Sequence, residues 1–153
     1  MSTTRIRLLK FYLIGCIVFM VFITKGITVQ AKTVNTGEVV EYINALRVEL
    51  GLPALTVSDS LNQAAAIRAT ELPARFDHTR PDGSAWYTAG TGVYGENLAR
   101  ADTDEKKGTL NIMAAWYRSP SHRTVLLTGF TRIGISCYED ENGVAYLACE
   151  FGY

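Results

Sequence analysis

Apolar side chains recur along this chain first with a helical period and later with an alternating one. Val39, Ile43, Leu46 and Leu50 repeat at three- and four-residue spacing, the stripe that one face of a helix presents. Asn35 followed by Glu38 offers a capping box at the start, and Gly51 a stop at the end. After Leu52-Pro53-Ala54-Leu55, Ser58 or Asp59 can cap a second helix, which carries Leu61, Ala64, Ala65, Arg68, Ala69 and Leu72 until Pro73 ends it. Its alanines let another element approach closely. A third helix is expected from about Asp104 to Arg118, with Leu110, Met113, Ala114, Trp116 and Tyr117 inward and Gly108 weakening its start. Ser119-Pro120 places an N-cap residue before a proline at the first helical position, predicting a short helix from His122 to Leu127.

The period then shortens to two. Ile133–Tyr138 and Val144–Phe151 flank Asn142-Gly143, a strong hairpin signal. Between the second and third helices, residues 74–100 read as a long turn-rich loop around Pro81-Asp82-Gly83, a feature usually tied to function or to disorder. Helices first and antiparallel strands afterwards predict an α+β layered domain.

The first thirty residues follow a different pattern. Arg5, Arg7 and Lys10 precede an apolar run from Phe11 to Ile23, and Val29-Gln30-Ala31 supplies aliphatic or small residues at a cleavage site. Residues 1–31 therefore read as a secretory signal peptide, followed by a lead-in over 32–35 and one domain over 36–153. The alternative is an uncleaved membrane anchor through residues 11–23, although about 13 residues is short of the roughly 20 that a spanning helix needs. Membrane contact is expected only in that case.

Export changes the charge and the cysteine count. The full chain balances 15 basic against 15 acidic side chains, and the leader holds four of the basic ones, Arg5, Arg7, Lys10 and Lys25. The remaining 11 basic and 15 acidic groups leave a net charge of −4, which argues against a nucleic-acid partner or an electrostatic grip on anionic lipid. Cys16 leaves with the signal. Cys137 and Cys149 then flank the hairpin turn, and a disulfide between them is expected, with two free buried thiols as the alternative.

Candidate chemistry centres on the only two histidines, His78 and His122, and on Glu96 in Gly95-Glu96-Asn97. Two imidazoles and a carboxylate can form an acid–base set, or hold zinc with a position open for water. The H-E-x-x-H spacing is absent, so long-range folding has to bring them together. Ser84, Ser119 and Ser121 sit in no G-x-S-x-G elbow, which leaves activated water as the only hydrolytic chemistry. Arg80 and Arg123 can hold an anionic ligand or pair with Asp77, Asp82 or Glu96. Asn97 can satisfy loop amides or contact a ligand. Trp86, Tyr87 and Tyr94 are candidates for an exposed recognition surface.

An ordered series of motifs now becomes recognisable. Asn44-Ala45-Leu46-Arg47, Gly51-Leu52-Pro53-Ala54-Leu55, Arg68-Ala69-x-Glu71, His78-x-Arg80-Pro81-Asp82-Gly83, Gly95-Glu96-Asn97-Leu98, Trp116-x-x-Ser119-Pro120-x-His122-Arg123 and Ile133-Gly134 follow one another. Over residues 36–152 the chain resembles the CAP superfamily of cysteine-rich secretory, antigen 5 and pathogenesis-related proteins, in its small bacterial SCP-like extracellular branch. The resemblance implies a three-layer α-β-α sandwich with a small antiparallel sheet, a C-terminal hairpin and a cleft. In the family, two histidines and two acidic residues line that cleft, and some members bind zinc or another divalent ion. His78, Glu96 and His122 match three of the four; Ser119 stands where many relatives carry the second glutamate. Tyr146-Leu147-Ala148-Cys149-Glu150-Phe151 resembles the family's C-terminal cysteine motif, which places Cys149 in a disulfide. The expected function is a secreted monomer that binds an extracellular ligand, protein or cell-wall component through the cleft. A metal-assisted hydrolase of extracellular peptides or wall components is the alternative, and a lipid or sterol binder the second alternative.

Overall fold

A computed structural model describes residues 33–153; the expected leader, residues 1–31, lies outside the described residues. Helix α1 spans Thr36–Glu49, and the Asn35 side chain accepts a hydrogen bond from the Glu38 amide at 3.1 Å. The Glu38 carboxylate does not close the capping box; it accepts from the Thr109 hydroxyl and ties α1 to a later helix. A two-residue strand β1, Thr56–Val57, leads into helix α2, Asp59–Glu71. After a loop with one 3-10 turn at Trp86–Ala89 come strand β2, Gly95–Ala101, and helix α3, Thr109–Arg118. Helix α4, Pro120–Leu127, and strands β3, Arg132–Glu139, and β4, Ala145–Gly152, complete the domain. Among the described residues no helix is long and apolar enough to cross a membrane.

The sheet has four strands in the order β1-β3-β4-β2. Three are antiparallel, as expected, and the short β1 adds a parallel pairing with β3. Because side chains alternate across a strand, each face has its own cover. Leu98, Tyr146 and Ala148 pack beneath Ala65 and Ala69 of α2 and Leu72 at its C-cap. On the other face Ile133, Leu147, Cys149 and Phe151 meet Val39 and Ile43 of α1, Ile112, Met113 and Trp116 of α3, and Leu126 of α4. The result is the three-layer α-β-α arrangement.

Gly134 sets the spacing of the α2 layer. A Cβ built there would lie 2.1 Å from the Leu61 carbonyl carbon and 2.3 Å from the Asn62 nitrogen. Only glycine lets the helix backbone rest on the strand. Asn62 then accepts from the Ile135 amide at 3.0 Å and locks the contact. On the opposite side, the buried Arg47 guanidinium donates to the carbonyls of Pro53, Leu126, Thr128 and Phe130. It thereby staples α1 to the turn after α4.

Several expectations change. Residues 95–101 form a strand, although 74–100 read as a loop. Alternation is missing there because residues on both faces of β2 are buried. Helix α3 starts at Thr109, after Gly108, and its Leu110 and Tyr117 are exposed, not inward. The expected disulfide is not formed: Cys137 and Cys149 are free. Hairpin register is the reason, since Cys149 stands opposite Ile135 and Cys137 opposite Leu147. The two thiols share a face but sit two residues out of step.

Candidate functional site

The open end of β2 gathers the candidate residues. Glu96 and Asn97 are consecutive, so they point to opposite faces of the sheet. Glu96 turns toward α2. Its Oε2 accepts from Arg68 Nε at 2.7 Å and its Oε1 lies 2.7 Å from His78 Nδ1. Asn97 turns toward α4, and its amide nitrogen donates to the His122 carbonyl oxygen at 3.1 Å. One edge strand therefore anchors both histidine-bearing segments. His122 lies within electrostatic reach of His78, whose charge acts on it.

Arg68 is the hub that residue-by-residue reading missed. It is fully buried, and besides Glu96 it donates to Glu71 Oε2 at 2.9 Å and to the Asp77 carbonyl at 2.6 Å. Glu71 in turn accepts from Arg80, with Arg80 Nη2 at 2.6 Å. The His78 loop is thus hung from α2 by two guanidinium links, Arg80 to the Glu71 carboxylate and Arg68 to the Asp77 carbonyl. Loop-internal bonds stiffen it: Asp77 accepts from the Thr79 amide, Asp82 from the Ser84 amide and hydroxyl, and the His78 carbonyl from the Trp86 amide. The spacing Arg68-x-x-Glu71 on one helix face was the available signal, since i and i+3 are neighbours.

The electrostatics follow from these contacts. Burial alone would raise Glu96, but hydrogen bonds from His78 and Arg68 outweigh it and hold the carboxyl below its ordinary range. The bond to Glu96 raises His78 above the usual imidazole value. Burial, and then the charge of His78, lowers His122. A carboxylate only accepts, so the hydrogen on the His78 ring sits on Nδ1, and Nε2 is the atom free to meet a ligand or a proton. The ring is 53% exposed.

The other expected site residues divide. Arg80 pairs with Glu71, not with Asp77, Asp82 or Glu96. Arg123 donates to the Tyr117 carbonyl and lies over the Tyr117 ring, 5.6 Å from its centroid. Ser119 occupies the N-cap position of α4, yet its hydroxyl meets the Ser121 hydroxyl at 3.1 Å and makes no capping bond. Tyr94 is well exposed beside Tyr153, with ring centroids 5.4 Å apart, and Tyr153 in turn rests against Phe130 at 5.1 Å. A Cβ at Gly95 would touch Phe130 at 2.8 Å and Val125 of α4 at 3.2 Å. The aromatic patch therefore adjoins the α4 side of the site, one turn from His122.

Glu96 and His78 Nδ1 are not free to serve a divalent ion in this arrangement. Both oxygens of Glu96 are taken up by Arg68 and His78, and His78 spends Nδ1 on Glu96. Among the described residues no three His, Cys, Asp or Glu side chains are grouped to hold a metal. Glu96 is thus engaged as an ion-pair partner, with the Arg68 guanidinium as its resident cation.

Comparison with known proteins places this geometry in a family. Residues 40–151 match the model of the cysteine-rich secretory protein family, CAP. The uncharacterized protein YkwD of Bacillus subtilis (strain 168) is 29% identical over 116 residues, 67% of this chain and 42% of that protein. The chain thus spans less than half the length of that relative. An outer surface protein from Borrelia burgdorferi superposes with a TM-score of 0.63 at 23% identity, covering 80% of this chain and 98% of that one. An extracellular protein containing an SCP domain from Bacillus anthracis str. Ames gives 0.61 at 18% identity over 76% of this chain and 40% of that one. With a family match across nearly the whole described domain and the same fold in these structures, the chain belongs to the cysteine-rich secretory protein (CAP) family.

Proposed function

We propose that this chain is an exported CAP-domain protein that binds an extracellular ligand, in particular a cell-wall fragment, through the cleft between His78 and His122, without turning it over. The observation that carries the reading is the half-exposed His78 ring, fixed through Nδ1 and offering Nε2 outward. Neutral His122 and the exposed Tyr94 extend the same surface with hydrogen-bonding and stacking groups. Turnover is not favoured because the carboxylate that would activate water, Glu96, is engaged by Arg68 and His78. The extracellular setting is supported by the leader-like residues 1–31 and by relatives described as extracellular or outer-surface proteins.

The test is an NMR titration of residues 32–153 with soluble peptidoglycan fragments. Shifts centred on Tyr94–Asn97 and on His122, weakened at least tenfold in His78→Ala and Tyr94→Ala, are expected. Cleavage of the fragments by wild type, abolished in His78→Ala, would replace this reading with the hydrolase.

A second reading has its own observation. A groove of about 430 Å³ between α1 and α3 is lined mainly by apolar groups, including Tyr42, Leu46, Leu110, Met113 and Tyr117. It can take an acyl chain or sterol, and a Leu110→Lys variant that binds a fluorescent fatty acid as well as wild type does would remove that reading.

A further inference from the structure

Glu150 is a buried acid that no part of the site described so far uses. It lies on β4 directly opposite Glu96 on β2 and opposite Gly134 on β3. All three share the face that α2 covers. Because Gly134 lets the α2 backbone rest on the sheet, Glu150 is sealed completely, at 0% exposure. Neither of its oxygens meets a donor. The charged groups facing it are Glu96 from β2 and Arg68 from α2, and Gly134 contributes no side chain from β3. The Arg68 nitrogens are committed to Glu96, Glu71 and the Asp77 carbonyl.

An ionised Glu150 would therefore be two orphan acceptors in a dry interior, next to a second carboxylate. A protonated one becomes a donor, and Glu96 is the acceptor beside it. We propose that Glu150 is a neutral carboxylic acid that donates its hydrogen to Glu96, so that the pair carries one negative charge, which Arg68 and His78 balance. Burial and the neighbouring Glu96 push Glu150 up to about 10, in keeping with that state. The site then holds no surplus negative charge to draw in a divalent cation. This assignment goes beyond the ligand reading and stands whether or not a wall fragment binds.

Glutamine at this position is a neutral isostere that still donates, so Glu150→Gln gives the test. Two readouts apply to the purified protein. Infrared difference spectra of wild type against Glu150→Gln at neutral pH should show the C=O stretch of a protonated carboxylic acid, lost in the variant and sensitive to D2O. The titration midpoint of His78, followed by NMR, should be the same in both proteins. If Glu150 is ionised, the band is absent, and removing its charge lowers the His78 midpoint by about one unit, a tenfold change in its proton affinity; either result overturns the proposal. Should the variant fail to fold, carbon-13 carboxyl shifts of wild type decide the matter. One glutamate must remain in the protonated range at neutral pH while the rest ionise normally, and a spectrum with every glutamate ionised overturns it.

Discussion

Arg68 Nε lies 2.7 Å from Glu96 Oε2, and both side chains are closed off from solvent. Removing one partner of such a buried pair costs up to about 3–5 kcal/mol, with Glu71 left as the one carboxylate on Arg68. Glu96→Gln is expected to lose stability in that range by urea unfolding. The same substitution should return His78 toward its ordinary titration midpoint, because the Glu96 bond is what raises it.

His78 makes stability depend on pH in a defined direction. Its folded value is raised above 6.5, so the stabilisation is complete below that value and is lost as pH rises through the folded one. The stability difference between wild type and His78→Asn should be largest at about pH 5.5 and shrink toward about pH 8.5. An unchanging difference would show that the Glu96 contact does not depend on charge.

Glu150 acts with the opposite consequence for design. The folded chain keeps its proton up to about 10, whereas the unfolded chain releases it near 4.5, so stability falls as pH rises between the two. Glu150→Gln should therefore be more stable than wild type at neutral pH, by a few kcal/mol, and its denaturation midpoint should decline less between those limits.

The cysteines give a chemical prediction. Burial holds the Cys149 thiol well above its ordinary value, and Cys137 is raised less and is only half-buried. A thiol reagent should modify Cys137 in the native protein and Cys149 only on unfolding. Reductant should leave the melting temperature unchanged, and a fall of several degrees would restore the disulfide.

Gly134→Ala tests the seat of α2. Its new methyl would meet backbone atoms of Leu61 and Asn62, which cannot rotate away. Overpacking of this kind costs about 1–3 kcal/mol or more, and loss of soluble, cooperatively unfolding protein is the expected result. Near-wild-type stability would mean that α2 can lift off the sheet.

Much of this architecture was legible because it is written in local signals. Asn35, Gly51, Pro73 and Ser119-Pro120 mark helix ends through backbone chemistry that needs no partner. Asn142-Gly143 does the same for the hairpin, and Gly143 indeed takes a positive φ of 74°. Strand β2 escaped because alternation appears only when one face is wet, and residues on both its faces are covered. Arg68 and Glu150 escaped for a related reason. A charged residue amid small apolar ones looks like a surface position until its partners, 28 residues away for Arg68 and Glu96, fold against it. Ser119 was legible as the place where an acid is missing; that Glu71 and Glu150 supply acids from other elements was not.

The adjacency of Glu96 and Asn97 has a consequence for how the site can fail. These two residues serve opposite layers, and a strand slipped by one residue exchanges its faces. In such a slip the carboxylate would leave Arg68 and His78 at the same moment that the amide abandons the His122 carbonyl. No register slip of β2 can release one histidine segment alone. The register of β2 is thus an all-or-none latch: a slip that unseats one histidine segment unseats the other.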